Sequence, residues 1–469
     1  MPDFDNLSDL LDYHKLPFEL RKDQVEDVEN LYGFERIALF NEVGTGKTAT
    51  ATVLALAWDT DHNIILMPPI LLRQWQRWLQ SLHDVGPVLV YRGNPRERAA
   101  MDLARHRWLL MTIQIFKKDL PRIRKALGDR SVTTIVDEGH SIKNVESANH
   151  KAVRDFSAGQ HLQILTGTPV SAPGDAYGYV KLKTPGVYRS QKQFENLHVA
   201  DRDFFGNVTE WQNLEMMNAN LMLQSTRRLS KEVLKHLKTP NYIPIYYELD
   251  PEHLALYNQL ADEQLLLLPD GGKIDATSAG RLYNALQQIV LNWAHFSGEP
   301  SHVSKAFDLI DNVAEEIDLM NQANSKLIVF TYYVMSSRAV TAALAKYNAV
   351  ACYSEISRSQ QDKNLERFLT DPSCRVLVAQ PTSAGMGFNP QHVCKEILFI
   401  EEPVVPWQFS QGVGRVDRDG QLYTPNIRLG IAEGTIQKRL HDNLLKKDTL
   451  ANKVQGGFID LREAIHGRG

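Results

Sequence analysis

Two stretches of the chain carry short apolar runs at intervals that suit strands separated by helices. In the first stretch the runs are residues 37–40, 64–67, 88–91, 108–111, 133–136 and 163–165. In the second they are 327–330, 349–353, 376–379, 397–400 and 427–429. Each run is short, often β-branched, and bounded by polar or turn residues. That is the pattern of strands buried on both faces of a parallel sheet and joined by helices. One such helix is explicit: Leu71, Leu72, Trp75, Trp78, Leu79 and Leu82 recur at helical spacing. Between the two stretches the pattern turns mainly helical, with residues 214–237 and 254–268 rich in Leu, Gln, Glu and Lys. The segment Thr239-Pro240-Asn241-Tyr242-Ile243-Pro244 reads as a crossing from one block to the other, and residues 436–447 as a closing helix. The prediction is an α/β protein with two parallel-sheet lobes, a helical insertion between them and a C-terminal helical brace. The expected boundaries are 1–171 for the first lobe, 172–323 for the insertion and linker, 324–434 for the second lobe and 435–469 for the brace and tail.

Composition mainly excludes. A chain of 469 residues, 43% hydrophobic and 23% charged, can bury more than one ordinary core. No apolar run reaches the length of about 18 residues that a membrane span needs. The start, Met1-Pro2-Asp3-Phe4-Asp5, is acidic and lacks the basic-then-apolar order of a secretion signal, so the expected location is the cytoplasm. Cys352, Cys374 and Cys394 form no Cys-x-x-Cys pair, which argues against zinc and disulfides and for buried, reduced thiols. The formal net charge of −4 weighs against a protein that coats nucleic acid. Basic clusters do occur: Arg92, Arg96, Arg98, Arg105 and Arg107; Lys117, Lys118, Arg122, Arg124 and Lys125; Arg227, Arg228, Lys231, Lys235 and Lys238. A charge run is more often a solvated face than a nucleic-acid contact.

Three segments carry chemistry. Asn41-Glu42-Val43-Gly44-Thr45-Gly46-Lys47-Thr48 follows an apolar run and precedes a good helix former, the context that a phosphate-binding loop requires. Gly44 and Gly46 let backbone N–H groups around Thr45 turn inward, and the helix N-terminus favours an anion. Lys47 would bring charge to the β- and γ-phosphates and Thr48 a hydroxyl to Mg2+. Asn41 stands where the general pattern has a glycine. The second segment, Thr133-Thr134-Ile135-Val136-Asp137-Glu138, ends a β-rich run in two carboxylates. Asp137 would hold Mg2+, directly or through water, and Glu138 would polarise the attacking water. Alone, such a pair is usually a solvated turn; the upstream loop gives it meaning. The third, Gln411-Gly412-Val413-Gly414-Arg415-Val416-Asp417-Arg418, puts Arg415 and Arg418 three apart, on one face of a helix. Two guanidiniums could face a phosphate there, although an ordinary basic helix is the better reading of the segment in isolation. Gln24, with Arg21, precedes the first strand, and its amide could read an adenine edge.

With these residues in order, the chain resembles superfamily-two helicases and, among them, the Swi/Snf-like (DEGH-box) double-stranded DNA translocases. The adenine segment corresponds to residues 18–24, and the loop at 41–48 resembles the family's own Asp-Glu-x-Gly-x-Gly-Lys-Thr form, which also lacks the first glycine. Met67-Pro68-Pro69 with Trp75 and Trp78, Leu110-Met111-Thr112-Ile113, and Leu165-Thr166-Gly167-Thr168-Pro169 resemble further motifs. Asp137-Glu138-Gly139-His140 followed by Ser141-Ile142-Lys143-Asn144 is the feature nearest the Swi/Snf-like branch. Residues 326–330, 383–389 and 411–421 resemble the motifs of the second lobe. Two departures stand out: Val170-Ser171-Ala172 follows the third motif, and Gly414 precedes Arg415 where the family more often has Asp.

The resemblance implies two RecA-like lobes with ATP between them, Mg2+ as cofactor, and arginines 415 and 418 arriving from the second lobe on closure. It implies a nucleic-acid-stimulated ATPase that moves along double-stranded or branched DNA and displaces protein obstacles. Expected DNA contacts are Thr112, Lys143, Asn144, Ser383 and Gly385. A compact, monomeric motor without accessory domains or a membrane is expected. A strand-separating helicase on DNA, or less readily on RNA, is the alternative. A scaffold that lost catalysis is another, opposed by the intact Lys47, Glu138, Arg415 and Arg418.

Overall fold

The computed structural model describes residues 9, 14, 19–263, 265–267, 273–275, 279–320, 325–381, 383, 388–403, 406–438 and 440–441. Packing divides the chain near Leu234 and Lys235 into two compact units, each built on its own parallel sheet.

The first unit contains strands β1 (Arg36–Leu39), β2 (His62–Leu66), β3 (Val88–Val90), β4 (Trp108–Met111), β5 (Val132–Asp137), β6 (His161–Leu165), β7 (Val199–Arg202), β8 (Val208–Trp211) and β9 (Ser225–Thr226). Seven of these form one sheet in the order β3-β4-β2-β5-β6-β1-β9, every pairing parallel. β2 and β4 are buried at every position, as strands covered on both faces must be. Phe40, Phe116, Tyr179 and Tyr188 anchor the core against one face. The central strands β5, β6 and β1 are neighbours, so the loops leaving their carboxyl ends open on one edge. In sheets of this kind ligands bind at that edge.

The second unit contains β10 (Asn241–Tyr247), the small pair β11 (Leu265–Leu267) and β12 (Lys273–Asp275), then β13 (Lys326–Phe330), β14 (Val350–Cys352), β15 (Val376–Ala379), β16 (Cys394–Phe399) and β17 (Asn426–Ala432). Its sheet runs β10-β17-β16-β13-β15-β14, again parallel throughout. One face packs Phe330, Phe368, Phe399 and Phe409, and the other packs Val329, Leu398 and the helix Lys305–Met320. The three cysteines are free and buried.

Every apolar run marked from the sequence lies in or overlaps one of these strands. The region expected as one helical insertion is instead shared. Its early helices, such as Asp175–Lys183, pack in the first unit, and β10 joins the sheet of the second. Two local readings are corrected. The stretch 214–237, expected to be mainly helical, is broken by a strand: Leu214–Met222 is followed by β9 and then the short helix Ser230–Val233. Residues 239–244 are not merely a crossing, because β10 begins at Asn241 and pairs with β17. Pro244 is tolerated there because β10 is an edge strand, where a missing N–H breaks no ladder. The closing helix is described only as far as residue 441. Among the described residues no helix is long and apolar enough to cross a membrane.

Candidate functional site

The loop from Asn41 to Gly46 leaves the carboxyl end of β1 and enters the helix Lys47–Trp58. Gly44 (φ +84°) and Gly46 (φ +79°) both adopt the left-handed conformation that disfavours any side chain. A Cβ on Gly46 would also fall 2.4 Å from Nε2 of Gln24. The first N–H groups of the helix, at Lys47 and Thr48, have no intrahelical acceptor and suit an anion. Lys47 folds back over the loop, donating to the carbonyls of Asn41 (2.8 Å) and Glu42 (2.9 Å). Burial pulls the Lys47 ammonium below its ordinary pKa, opposed by the negative charge of Glu138 and Asp137. That coupling places the lysine within electrostatic reach of both carboxylates.

Asn41 has a job of its own. It donates to the buried Asp27 (2.7 Å) and accepts from Thr226 (3.2 Å), while Arg228 holds the other oxygen of Asp27 (2.9 Å). A glycine could make none of these bonds, which accounts for the departure from the general loop pattern. Arg21 and Gln24 open the helix Lys22–Leu31 beside the loop. Arg21 donates to the Thr45 carbonyl (2.5 Å) and Gln24 to the Gly46 carbonyl (3.2 Å), while Gln24 Oε1 accepts from the Arg21 N–H (3.0 Å). Both residues therefore grip the base of the loop. Phe18 lies outside the described residues.

Asp137 is the last residue of β5. Its Oδ2 accepts from the Trp75 indole (2.7 Å) and its Oδ1 from the Glu138 N–H (2.9 Å). Burial and the neighbouring Glu138 push its carboxyl up to about 6. Stability contributed by an acid raised in the fold is present below its ordinary pKa and lost as pH rises through the raised one. Asp137→Asn should therefore stabilise the nucleotide-free protein more above pH 6 than below pH 3.8, the ordinary value. Melting temperature against pH checks this, and an Asn variant whose advantage is flat with pH contradicts it. Glu138 sits at φ +56°, a strained conformation for a glutamate, and its carboxylate lies 3.3 Å from His140 Nδ1. The left-handed turn at Glu138 comes directly after the strand, which ends at Asp137.

The Lys143-Asn144 extension is anchored inside the unit. Lys143 pairs with Asp175 (2.8 Å) and donates to Ser171 (3.1 Å). The side chain and carbonyl of Asn144 accept from Glu146 and Ser147. The helix Asp175–Lys183 approaches so closely that a Cβ on Gly178 would lie 1.8 Å from the Lys143 carbonyl. Gly→Ala inside a helix normally gains up to about 1 kcal/mol. Here overpacking against backbone should reverse the sign, with Gly178→Ala costing roughly 3 kcal/mol in denaturant unfolding. A neutral or stabilising result would mean that the two segments can separate freely.

The other expected contacts are placed as follows. Thr112 caps the helix Ile113–Leu127, accepting from Ile115 N–H. Ser383 bonds Gln380 in the second unit, and Gly385 lies outside the described residues. Arg415 and Arg418 do not share a helix face: Pro406–Val413 ends before them, in turns that follow Gly412 and Gly414. Gly412 is forced by close packing, since a Cβ there would meet Phe399 at 2.7 Å. Arg415 is buried, and Arg418 donates to Asn389 (2.5 Å). Several basic-cluster residues are occupied as well: Arg98 with Asp119 (2.6 Å), Arg107 with Asp59 (2.7 Å), Arg122 and Arg124 with backbone carbonyls.

Sequence reasoning missed the part played by residues 224–230. This segment runs beside β1 and the loop, accepting from Ala38, Phe40 and Glu42 N–H groups at 2.9–3.0 Å. The sequence signal there is the basic cluster of Arg227, Arg228, Lys231, Lys235 and Lys238, a pattern that more often marks a solvated face than a nucleic-acid contact.

A model of the SNF2-related domain matches residues 31–294, more than half of the chain. The chain belongs to the SNF2-related family. This SNF2-related chain is 24% identical to "DNA annealing helicase and endonuclease ZRANB3" of Mus musculus, over 98% of its own length and 42% of the relative's. It is 22% identical to "Uncharacterized ATP-dependent helicase YqhH" of Bacillus subtilis, over 99% and 84% respectively. Among solved structures, the Sulfolobus solfataricus SWI2/SNF2 ATPase core in complex with dsDNA aligns over 98% of this chain and 100% of that one, with 21% identity and a TM-score of 0.44. The chain spans less than half the length of the mouse relative.

Proposed function

We propose that this SNF2-related chain is an ATP-dependent DNA translocase, hydrolysing ATP to ADP and phosphate while moving along duplex or branched DNA. The observation that carries the reading is the placement of a glycine-lysine loop and a paired Asp-Glu turn on one sheet edge, with Lys47 electrostatically coupled to both carboxylates. In this reading Gly44, Thr45, Gly46, Lys47 and Thr48 embrace the phosphates, and Arg21 and Gln24 set the loop's base next to the adenine. Glu138 takes the proton of the attacking water. Arg415 and Arg418 are carried as the guanidiniums that meet the transferring phosphate.

Mg2+ suits the donors: the Asp137 carboxylate and the Thr48 hydroxyl are hard oxygens, and this ion is usually held by one or two carboxylates plus substrate phosphates. When bound it would neutralise phosphate charge. For DNA, the mouse relative's name supports the track. Thr112, Lys143, Asn144, Ser383 and Gly385 are the proposed backbone contacts, and Lys143 reaches a DNA backbone by exchanging Asp175 for a phosphate. Backbone contacts read no bases, so binding should be sequence-tolerant and weaken steeply with salt.

Triplex displacement from blunt duplex DNA, run beside strand displacement on a fork, tests the reading. ATP-dependent triplex displacement without fork unwinding is expected. Fork unwinding alone would replace translocation with strand separation, and proteins bound on the duplex should be displaced in the same assay.

A further inference from the structure

We infer that Arg227 is a positioning residue for the phosphate loop, a strut that sets the distance between the loop and the turn after β6. The inference rests on the proposed ATP site and deepens it.

The guanidinium of Arg227 touches three pieces of chain. Its Nη1 donates to the carbonyl of Phe40 at the end of β1 (2.5 Å) and to that of Gly167, just past β6 (2.9 Å). Its Nη2 lies 3.7 Å from Oε1 of Glu42 within the loop. Ser230 holds the other oxygen of Glu42 through its N–H (2.9 Å) and its hydroxyl (2.7 Å). Gly167 in turn presses on the loop, for a Cβ there would sit 3.2 Å from the Val43 nitrogen. One planar fork therefore ties together the strand that launches the loop, the loop itself and the turn after β6. β6 is also the neighbour of β5, which carries Asp137.

The environment gives the strut weight. Arg227 is largely buried, its side chain 10% exposed, so its bonds are not readily exchanged for water. The segment that carries it is held in place by the fully buried Lys183, which donates to the Leu221 and Leu223 carbonyls (2.7 and 2.8 Å) and to Ser225. Burial lowers the pKa of Lys47, and the Arg227 charge adds to the lowering. Arg227 does not need to touch nucleotide to matter. A loop preset in its binding shape loses little order when phosphate arrives, and a loosened one loses more. The cost therefore falls on ATP affinity and leaves the chemical step at saturation largely intact.

The test uses the full chain and three variants, with steady-state ATPase kinetics and equilibrium binding of a fluorescent ATP analogue. Arg227→Gln should raise KM for ATP and weaken analogue binding about 10- to 100-fold, the range that loss of the partners orienting a metal's ligands produces, taken here by analogy. Its kcat at saturating ATP should change much less. Arg227→Lys should fall between, since an ammonium keeps the charge but cannot reproduce the fork. Ser230→Ala should move KM in the same direction by less. A folded Arg227→Gln protein with wild-type KM, or one that loses only thermal stability, overturns the inference. If Arg227→Gln does not fold, wild-type KM in both Arg227→Lys and Ser230→Ala overturns it. A wild-type chain that neither binds nor hydrolyses ATP sinks the ATP reading itself, and the strut falls with it. A wild-type chain that does both leaves Arg227 alone on trial.

Discussion

Lys47→Ala should reduce ATP turnover by about 10^3-fold, the order lost when a charge-stabilising donor is removed from a reacting centre. The reason is local. Lys47 is the cation of the loop, and it sits where Asp137 and Glu138 can feel it. Its ammonium donates to the carbonyls of Asn41 and Glu42. A phosphate would compete for those protons and win, because its oxygens bring full negative charge to the ammonium where a carbonyl brings only a dipole. The fold should survive, since Lys47 is half-buried and water can replace it on both carbonyls. Circular dichroism and melting should stay near wild type while the rate collapses. Near-normal turnover would show that the loop does not hold the reacting phosphates.

Glu138→Gln should remove turnover as completely but spare nucleotide binding. The glutamine keeps the size and the strained backbone at φ +56° while losing the ability to take a proton. A second substitution separates the two properties of this position. Glu138→Gly should relieve about 1 kcal/mol of backbone strain and still be inactive. Strain kept at a residue that could shed it by becoming glycine points to the side chain as the reason for the conformation. Analogue binding by the Gln variant, measured beside its ATPase rate, is the check. Loss of binding with loss of rate would move Glu138 from proton acceptor to phosphate-site architecture.

Much of this was legible because strands buried on both faces leave continuous apolar runs, and such runs need no tertiary information. Residues 108–111 and 133–136 announce β4 and β5 by composition alone. The loop was legible for a related reason: Gly44 and Gly46 are required by backbone conformation, which sequence records directly. β9 was not legible. It is two residues long, and it is a strand only because β1 lies beside it. β10 was disguised by Pro244, which signals an interruption unless the strand is known to lie at an edge. Arg415 and Arg418 were spaced for a helix, yet Gly414 and the end at Val413 put them in turns. Arg227 was invisible for the opposite reason. Its partners are backbone carbonyls of Phe40 and Gly167, remote in sequence, and a carbonyl has no residue type to recognise. The same holds for Asn41, readable as a departure but explained only by Asp27 and Thr226.

The measurement that bears most directly on the account is the steady-state ATPase rate of the purified chain, taken without nucleic acid and with duplex DNA, branched DNA, single-stranded DNA and RNA. Slow hydrolysis alone and strong stimulation by duplex or branched DNA is the predicted result, abolished by Lys47→Ala. Hydrolysis that no nucleic acid alters, or none under any condition, would contradict it.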